Sequence, residues 1–181
     1  MKPKIIDNFL DEGEFSKIQE QIMGEHWSWF FNGYVEFPRE DRLEYKGRFH
    51  FIHVLYGEGV PRSENMNLIF PIINKLNPTS LYRIKANLST RTPEIIKGAF
   101  HIDVDSEQMT TSLFYMNTSN GYSEFKDGTI VESVANRMVI FPANLYHRGT
   151  SCSDQQTRVV INFNYFSVED ADGKLINMAG F

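Results

Sequence analysis

Three side chains that could hold a metal ion lie in the C-terminal half of the sequence. His101 and Asp103 are two residues apart in "FHIDVDS", and His147 follows in "FPANLYHRGTS". Side chains alternate between the two faces of a β-strand, so a strand over residues 100–106 would place His101 and Asp103 on one face. Two imidazoles and one carboxylate form a facial triad that suits Fe(II) and leaves coordination positions open. A His-x-Asp pair alone is a weak signal, because a hydrogen-bonded polar pair at a strand end has the same spacing.

An arginine after the second histidine strengthens this interpretation. Arg158 begins the apolar run "RVVINFNYF". A guanidinium on an inward strand face can bind a carboxylate through two parallel hydrogen bonds. An exposed arginine at a strand edge is the alternative. A metal site with open positions and a carboxylate clamp would together accommodate a bidentate cosubstrate and O₂.

The second half of the chain reads as a series of short strands. The runs are rich in aromatic and β-branched residues, and turn pairs such as Asn120-Gly121 and Asp127-Gly128 separate them. This pattern predicts a sandwich or jelly roll, in which strands distant in sequence meet at one end. The predicted strands are "SLYRIKANLST", "KGAFHIDVD", "TTSLFYMNT", "YSEFKDG", "TIVESV", "RMVIFPANL", "HRGTSC" and "TRVVINFNYF".

The first half predicts two helices around a strand. Asp11 is placed to cap a helix that runs to Gly24, and Phe15, Ile18 and Ile22 recur at helical spacing. The stretch "SENMNLIFPIINKLNP" predicts a second helix, kinked or started late by its internal proline, and "RFHFIHVLY" predicts a strand. We therefore expect one domain over 1–181, with N-terminal support (1–79), a jelly-roll core (80–166) and a tail (167–181).

Composition narrows the class of protein. The formal net charge of −5 gives no reason to expect a nucleic-acid partner. The single cysteine, Cys152, cannot form an intrachain disulfide, and the opening "MKPKIIDNFLDE" lacks the apolar core of a signal peptide. No run approaches the roughly 20 apolar residues that span a bilayer. These features predict a cytoplasmic protein with no membrane association.

The order of several motifs resembles a known superfamily. The segments "HID", "TSLFYMN", "GYSEF", "RMVIFPANLYHRG" and "TRVVINF" follow one another as in 2-oxoglutarate- and Fe(II)-dependent dioxygenases, most closely the prolyl-4-hydroxylase branch. The resemblance covers roughly residues 80–166, and "KIIDNFLDEGEF" resembles the strand and helix that open such proteins. Two departures, Tyr122 in place of a second glycine and Val160 in place of a serine, leave the subfamily open.

The resemblance implies a role for each matching residue at the metal. His101, Asp103 and His147 would bind Fe(II), and the cosubstrate 2-oxoglutarate would chelate the same ion before O₂ binds. The implied products are succinate, CO₂ and a substrate hydroxylated at a C–H bond. An apolar wall of Phe114, Ile140 and Phe141 would keep water away.

It also implies the cosubstrate contacts. Arg158 would pair with the distal carboxylate of 2-oxoglutarate, and Tyr115 would donate a hydrogen bond to the same group. Asn87 matches a position that often contacts the cosubstrate, and Asn162, on the same strand face as Arg158, would line the iron pocket. The primary substrate would be a prolyl or other residue of a peptide, or a small molecule.

Other interpretations stay open at this stage. A cupin-like metal protein that does not use 2-oxoglutarate has the same architecture, but it would have no reason to keep an arginine at position 158. His50 and His53 would point to opposite faces of their strand and have packing or surface roles. Arg148 would point outward or form a local salt bridge rather than contact the substrate. We also expect the polar segment from Gly33 to Gly47 to form a lid over the site.

Overall fold

The computed structural model describes residues 2–33 and 49–167. Helix α1 (Glu12–Met23) begins after Asp11 and ends at Gly24, as the sequence predicts. Its apolar stripe, Phe15, Ile18 and Ile22, is buried. Asp11 contributes its backbone carbonyl, which accepts from the amides of Glu14 and Phe15, and its side chain makes no capping hydrogen bond.

The second helix starts late because of its proline. A 3₁₀ segment (Glu64–Ile69) leads into α2 (Phe70–Leu76), with Pro71 in the first turn, where a missing amide proton costs nothing. Asn77 ends the helix in the left-handed conformation, at φ 48°. The prediction of a late start is confirmed.

Within the described residues, eleven strands form two antiparallel sheets. The large sheet has the order β1-β9-β6-β11-β5-β3-β2 with β4 paired to β3, and the small sheet has the order β10-β7-β8. The strands are β1 (Lys4–Ile6), β2 (Phe30–Asn32), β3 (His50–Gly57), β4 (Val60–Pro61), β5 (Ser80–Thr90), β6 (Met109–Tyr115), β7 (Tyr122–Phe125), β8 (Ile130–Glu132), β9 (Arg137–Pro142), β10 (His147–Gly149) and β11 (Thr157–Phe166).

The two faces of the large sheet build two cores. One face packs against the helices, where Ile22 and Ile72 meet Ile161 and Phe163. The other faces the small sheet, where Phe125 and Val131 join residues of β6, β9 and β11. Side chains of β11 alternate between the two faces: Arg158, Val160, Asn162 and Asn164 face the inside of the roll, and Val159, Ile161, Phe163 and Tyr165 face the helices. The architecture is a jelly roll with flanking helices, as predicted.

One predicted strand is wrong. Residues 97–106 contain only isolated bridges, Lys97 to Thr150 and His101 to His147. The amide of Asp103 donates to the carbonyl of Ala143, at 3.1 Å, in the connection between β9 and β10. Since the chain here runs beside a turn rather than a full strand, no continuous ladder can form.

Besides Met1, two segments lie outside the described residues. They are 34–48, which holds nearly all of the predicted lid, and 168–181, which holds nearly all of the predicted tail. Among the described residues, no helix has the length and apolar character needed to cross a bilayer.

Candidate metal centre

His101, Asp103 and His147 meet at one end of the roll. One potential ligand atom from each lies within 4.8 Å of the other two. The backbones of His101 and His147 exchange two hydrogen bonds of 2.9 Å, which hold the imidazole rings with centroids 4.6 Å apart. The segment around residue 101 is therefore fixed against β10 without being a regular strand.

Each histidine presents the same nitrogen to the centre. His101 Nδ1 lies 3.2 Å from the carbonyl of Ala99, and His147 Nδ1 lies 3.0 Å from the carbonyl of Leu145. A carbonyl oxygen only accepts hydrogen bonds, so these contacts assign the ring proton to Nδ1. The lone pair is then on Nε2 of both rings, which is the form that binds a metal.

Three side chains from the inner faces of β6 and β11 hold the carboxylate of Asp103. Its Oδ2 accepts from Thr111 Oγ1 at 3.0 Å, Asn162 Nδ2 at 2.9 Å and Asn164 Nδ2 at 3.3 Å. Arg83 lies 3.5 Å from Oδ1. Several donors on one oxygen orient the carboxylate and favour its ionised form.

The environment keeps His147 and Asp103 in their metal-binding protonation states. Burial lowers the pKa of His147 to about 4, although the charge of Asp103 opposes this shift. Burial by itself would raise the pKa of Asp103, but His147, the Asn162 hydrogen bond and the other nearby positive groups outweigh it and lower the pKa. At neutral pH His147 is neutral and Asp103 is ionised, as a divalent ion requires.

This shift has a consequence for stability. The unfolded chain protonates His147 near its ordinary pKa of 6.5, whereas the folded chain resists protonation down to about 4. Between these values the unfolded state binds more protons, so the free energy of unfolding of the metal-free protein falls as the pH falls, by up to about 3 kcal/mol. Urea titrations from pH 7 to pH 4 should show this loss. We expect His147→Gln to remove it and His26→Gln, at an exposed histidine, to retain it.

Arg158 is buried at the other end of the cavity, where it contacts neutral groups. Its side chain donates to Ser133 Oγ at 2.6 Å, to Ser123 Oγ at 3.3 Å and to the carbonyl of Thr150 at 3.4 Å. Within 2–33 and 49–167, no carboxylate lies in ion-pair distance of it, and only 6% of the residue is exposed. Burial lowers its pKa. A buried cation is costly unless an anion compensates it.

Tyr115 stands beside this arginine but behind the cavity wall. Its ring centroid lies 5.4 Å from the guanidinium carbon, and its hydroxyl donates to Ser123 Oγ at 2.8 Å. Tyr115 is fully buried, whereas Ser123 lines the cavity. Burial raises the pKa of the phenol, which stays neutral.

A cavity of about 150 Å³ joins the metal ligands to Arg158. It contains two further residues that the sequence pointed to, Asn87 and Asn162, and the Oδ1 atom of Asn162 is buried without a hydrogen-bond partner among the described residues. The other lining residues are His50, Lys85, Ser89, Leu113, Ser123, Gly149, Thr150 and Val160.

The expected apolar wall is only partly in place. Phe141 lies inside the roll, with its ring centroid 4.8 Å from that of His147. Phe114 points the other way and packs edge-on against Phe9 and Phe15, and Ile140 packs in the same helix-side core. The expectation for Phe114 and Ile140 is therefore wrong, because each has the strand parity opposite to its inward neighbours.

The remaining cations and histidines of interest have local partners. Arg148 pairs with Glu124 at 2.9 Å, as expected, and its guanidinium carbon lies 4.2 Å from the ring centroid of Phe100. His53 contacts Ser28 and Ser63 on the helix side. His50, for which we expect a packing or surface role, is buried at the cavity and hydrogen-bonds Asn32.

No protein-family model matches the sequence, and no curated protein is significantly similar to it. Solved structures do match. A prolyl hydroxylase from Trichoplax adhaerens, in complex with a hypoxia inducible factor peptide fragment, superposes with a TM-score of 0.65 at 14% identity, over 91% of this chain and 83% of that one. The non-heme alpha ketoglutarate dependent epimerase SnoN from nogalamycin biosynthesis gives 0.63 at 12% identity, over 92% and 77%. A 2OG-Fe(II) oxygenase family oxidoreductase from Burkholderia pseudomallei gives 0.60 at 8% identity, over 90% and 84%.

These matches agree with the resemblance drawn from the motif order, and at such low identity what they establish is the fold. The chain has the jelly-roll fold of the 2-oxoglutarate- and Fe(II)-dependent oxygenases, prolyl hydroxylases among them, and it brings a His-Asp-His cluster together at one end of that roll.

Proposed function

We propose that the protein is a 2-oxoglutarate- and Fe(II)-dependent dioxygenase that hydroxylates a residue of a peptide or a small molecule. One observation supports this most strongly: a cavity has two imidazoles and a carboxylate at one end and, at the other, a buried guanidinium that has no acidic partner among the described residues. A dicarboxylate with a keto group would satisfy both ends at once. Neither end has another evident use within the described residues.

The residues present fit Fe(II). His101 and His147 offer Nε2 lone pairs, and Asp103 offers a carboxylate whose Oδ2 lies 3.9 Å from His147 Nε2 and is oriented by Thr111 and Asn162. This is the donor set of a facial triad, with one side left open. When bound, the ion would supply the redox chemistry that couples decarboxylation of 2-oxoglutarate by O₂ to hydroxylation of a C–H bond.

The chain itself would position and shield the reactants. Arg158 would bind the distal carboxylate of 2-oxoglutarate, which would supply the missing counterion. Ser123 lines the cavity beside Arg158 and accepts a hydrogen bond from Tyr115. Tyr115 would therefore have to break this hydrogen bond in order to donate to the carboxylate. While the bond is intact, Tyr115 holds the Ser123 hydroxyl in place. Asn87 would contact the cosubstrate from the neighbouring strand β5, where it pairs with Val160 of β11. Asn162 would orient Asp103.

The proposed substrate is a peptide or a small molecule. The Trichoplax structure holds a peptide, and a second SnoN structure holds Fe³⁺, alpha ketoglutarate and a nogalamycin compound, so the same fold serves both kinds of substrate. The acidic net charge of this chain argues against a nucleic acid. A cupin-like protein that does not use 2-oxoglutarate is disfavoured, because it would leave Arg158 buried and uncompensated.

The close packing around Arg158 allows a test of its role in binding 2-oxoglutarate. A Cβ at Gly121 would lie 2.5 Å from Arg158 Cδ and 2.7 Å from the carbonyl oxygen of Ser151. We expect Gly121→Ala to displace the guanidinium and to raise the KM for 2-oxoglutarate about tenfold or more, with metal affinity unchanged. Initial rates against cosubstrate concentration would measure this. Gly13→Ala, where a Cβ meets no atom within 4 Å, is the control. An unchanged KM in Gly121→Ala would contradict the assigned role.

The proposed function is tested by turnover without knowledge of the substrate. We expect purified protein to convert 2-oxoglutarate slowly to succinate and CO₂ in air, with a requirement for Fe(II), and His101→Ala to abolish this reaction. Candidate peptides and metabolites can then be scored by their stimulation of the rate. Metal binding without any consumption of 2-oxoglutarate would favour the cupin-like alternative.

A further inference from the structure

A lysine on the cavity wall has no role in the chemistry described so far. Lys85 lies on the inward face of β5, across from Asn162, while Ser89 on the same face lies across from Arg158. At about 3.4 Å per residue, Lys85 and Ser89 are roughly 14 Å apart along the strand. Lys85 is therefore at the metal end of the cavity, and Arg158 is at the cosubstrate end.

Lys85 lacks the partners that its neighbour has. Arg83, two residues earlier on the same face, contacts Asp103 Oδ1 at 3.5 Å and Asn164 Oδ1 at 3.1 Å. In the part of the chain that the structure describes, the Lys85 ammonium has neither a carboxylate in ion-pair distance nor a side-chain hydrogen bond. Burial lowers its pKa to about 8, with Arg83 adding to the shift and Asp103 opposing it, so it is mainly protonated at neutral pH.

With Fe(II) and 2-oxoglutarate bound, the charge of Lys85 is not compensated. The positive charges of Fe(II) and Arg158 are balanced by Asp103 and by the two carboxylates of 2-oxoglutarate, which leaves Arg83 and Lys85. Arg83 is about a third exposed and keeps its contacts with Asp103 and Asn164. Lys85 then faces the same cavity as an uncompensated cation at the end where the reacting carbon must come. A charge held largely out of water and without a partner is unfavourable, and an incoming anion would remove that cost.

We propose that Lys85 is a substrate-binding residue and that the primary substrate presents an anionic oxygen group, a carboxylate or a phosphate, beside the metal. This inference rests on the proposed function, since it assumes that the metal and 2-oxoglutarate occupy their ends of the cavity. An ion pair at this point would fix the substrate close to the reacting centre, which a neutral side chain could not do as selectively. Acidic peptides and small organic acids or phosphate esters are the compounds to screen first.

The test measures binding of small anions to the loaded site. Zn(II) replaces Fe(II), because zinc has no redox chemistry and the complex then stays intact in air. With 2-oxoglutarate saturating, the protein is titrated with acetate, methyl phosphate and the uncharged acetamide. Lysine side chains labelled with ¹³C at Cε report the site by NMR, the Lys85 signal is assigned by its loss in Lys85→Arg, and calorimetry gives the affinities.

We expect acetate, methyl phosphate or both to shift the Lys85 signal saturably and acetamide to leave it unchanged. Which anion binds tells a carboxylate substrate from a phosphate. Lys85→Met should weaken that binding about tenfold or more, while Lys85→Arg retains it and Lys17→Met, at an exposed lysine of α1, changes nothing. The affinity for 2-oxoglutarate should stay within about twofold in Lys85→Met.

Two results would overturn the inference. If Lys85→Met weakened 2-oxoglutarate binding strongly, the lysine would serve the cosubstrate. If neither anion shifted the Lys85 signal in the loaded wild type, the lysine would not be an anion site open to a substrate. Failure of the proposed function looks different, because 2-oxoglutarate itself would then show no saturable, metal-dependent binding before any anion is added.

Discussion

Replacing Asp103 with asparagine is expected to lower the affinity for Fe(II) at least about 100-fold and to abolish succinate formation. Even the hydrogen-bonding partners of a metal ligand are worth about 10–100-fold in affinity, and the ligand itself is worth more. The substitution keeps the size of the side chain but removes the negative charge that two neutral imidazoles cannot replace. Asn162 and Asn164, which now donate to the carboxylate, would face an amide instead.

Calorimetric titration of the metal-free protein with Fe(II) under anaerobic conditions would measure this loss. Asp105→Asn is the matched control, because Asp105 is a carboxylate two residues further along and exposed. We expect it to bind metal like the wild type. Equal affinities in the wild type and Asp103→Asn would remove Asp103 from the metal site, and a large loss in Asp105→Asn would mean that the triad had been assigned to the wrong acid.

Replacing Arg158 with methionine is expected to raise the KM for 2-oxoglutarate about 100-fold or more. Truncating one member of a buried, hydrogen-bonded charge pair costs about 2–5 kcal/mol, and each 1.4 kcal/mol is about tenfold. The affinity for Fe(II) alone should not change, because Arg158 is not one of the three clustered ligand residues. A raised KM for 2-oxoglutarate with an unchanged affinity for Fe(II) would show that the two ends of the cavity bind different ligands.

The stability of this variant distinguishes a ligand-binding arginine from a structural one. If Arg158 stabilised the fold, removing it would lower the melting temperature. Arg158 has no described acidic partner, so removing it takes away an uncompensated buried charge, and we expect the ligand-free variant to melt no lower than the wild type. Arg91→Met, at an exposed arginine, serves as the control in both measurements. A destabilised variant with an unchanged KM would refute the cosubstrate role.

The strands of the core were predictable because their pattern is strong. Residues 157–166 alternate around Arg158 and form β11 with the predicted bounds. Residues 109–115 form β6, which starts one residue before the predicted run and ends three residues before its end. The segment around His101 failed for a physical reason. Its composition suits a strand, but strand formation depends on a partner, and its partner is a turn near Ala143 that no local pattern reveals.

The triad and Arg158 came from residue type and spacing, together with the resemblance in motif order. The residues that hold Asp103 were only partly found. Asn164 follows Asn162 by two, so the same alternation that put Asn162 inside also puts Asn164 there. Thr111 shares the parity of Tyr115 in the same way.

Other parts of the site depend on packing between distant segments. Lys85 looks like an ordinary charge within an alternating strand, and the sequence does not show that its face is the inside of the roll. Strand alternation alone does not tell whether Tyr115 or Ser123 lines the cavity. Ser123 lines it and Tyr115 lies behind, because of how closely β6 and β7 pack.

Anaerobic addition of 2-oxoglutarate to the Fe(II)-loaded protein tests the central claim most directly. Chelation of the ferrous ion by the keto acid should produce a weak visible charge-transfer band, saturable in the wild type and absent from His101→Ala. In Arg158→Met the band should appear only at much higher cosubstrate concentrations. A wild-type protein that binds Fe(II) but gives no such band at saturating 2-oxoglutarate would contradict the assignment of this cavity to the metal and its keto acid.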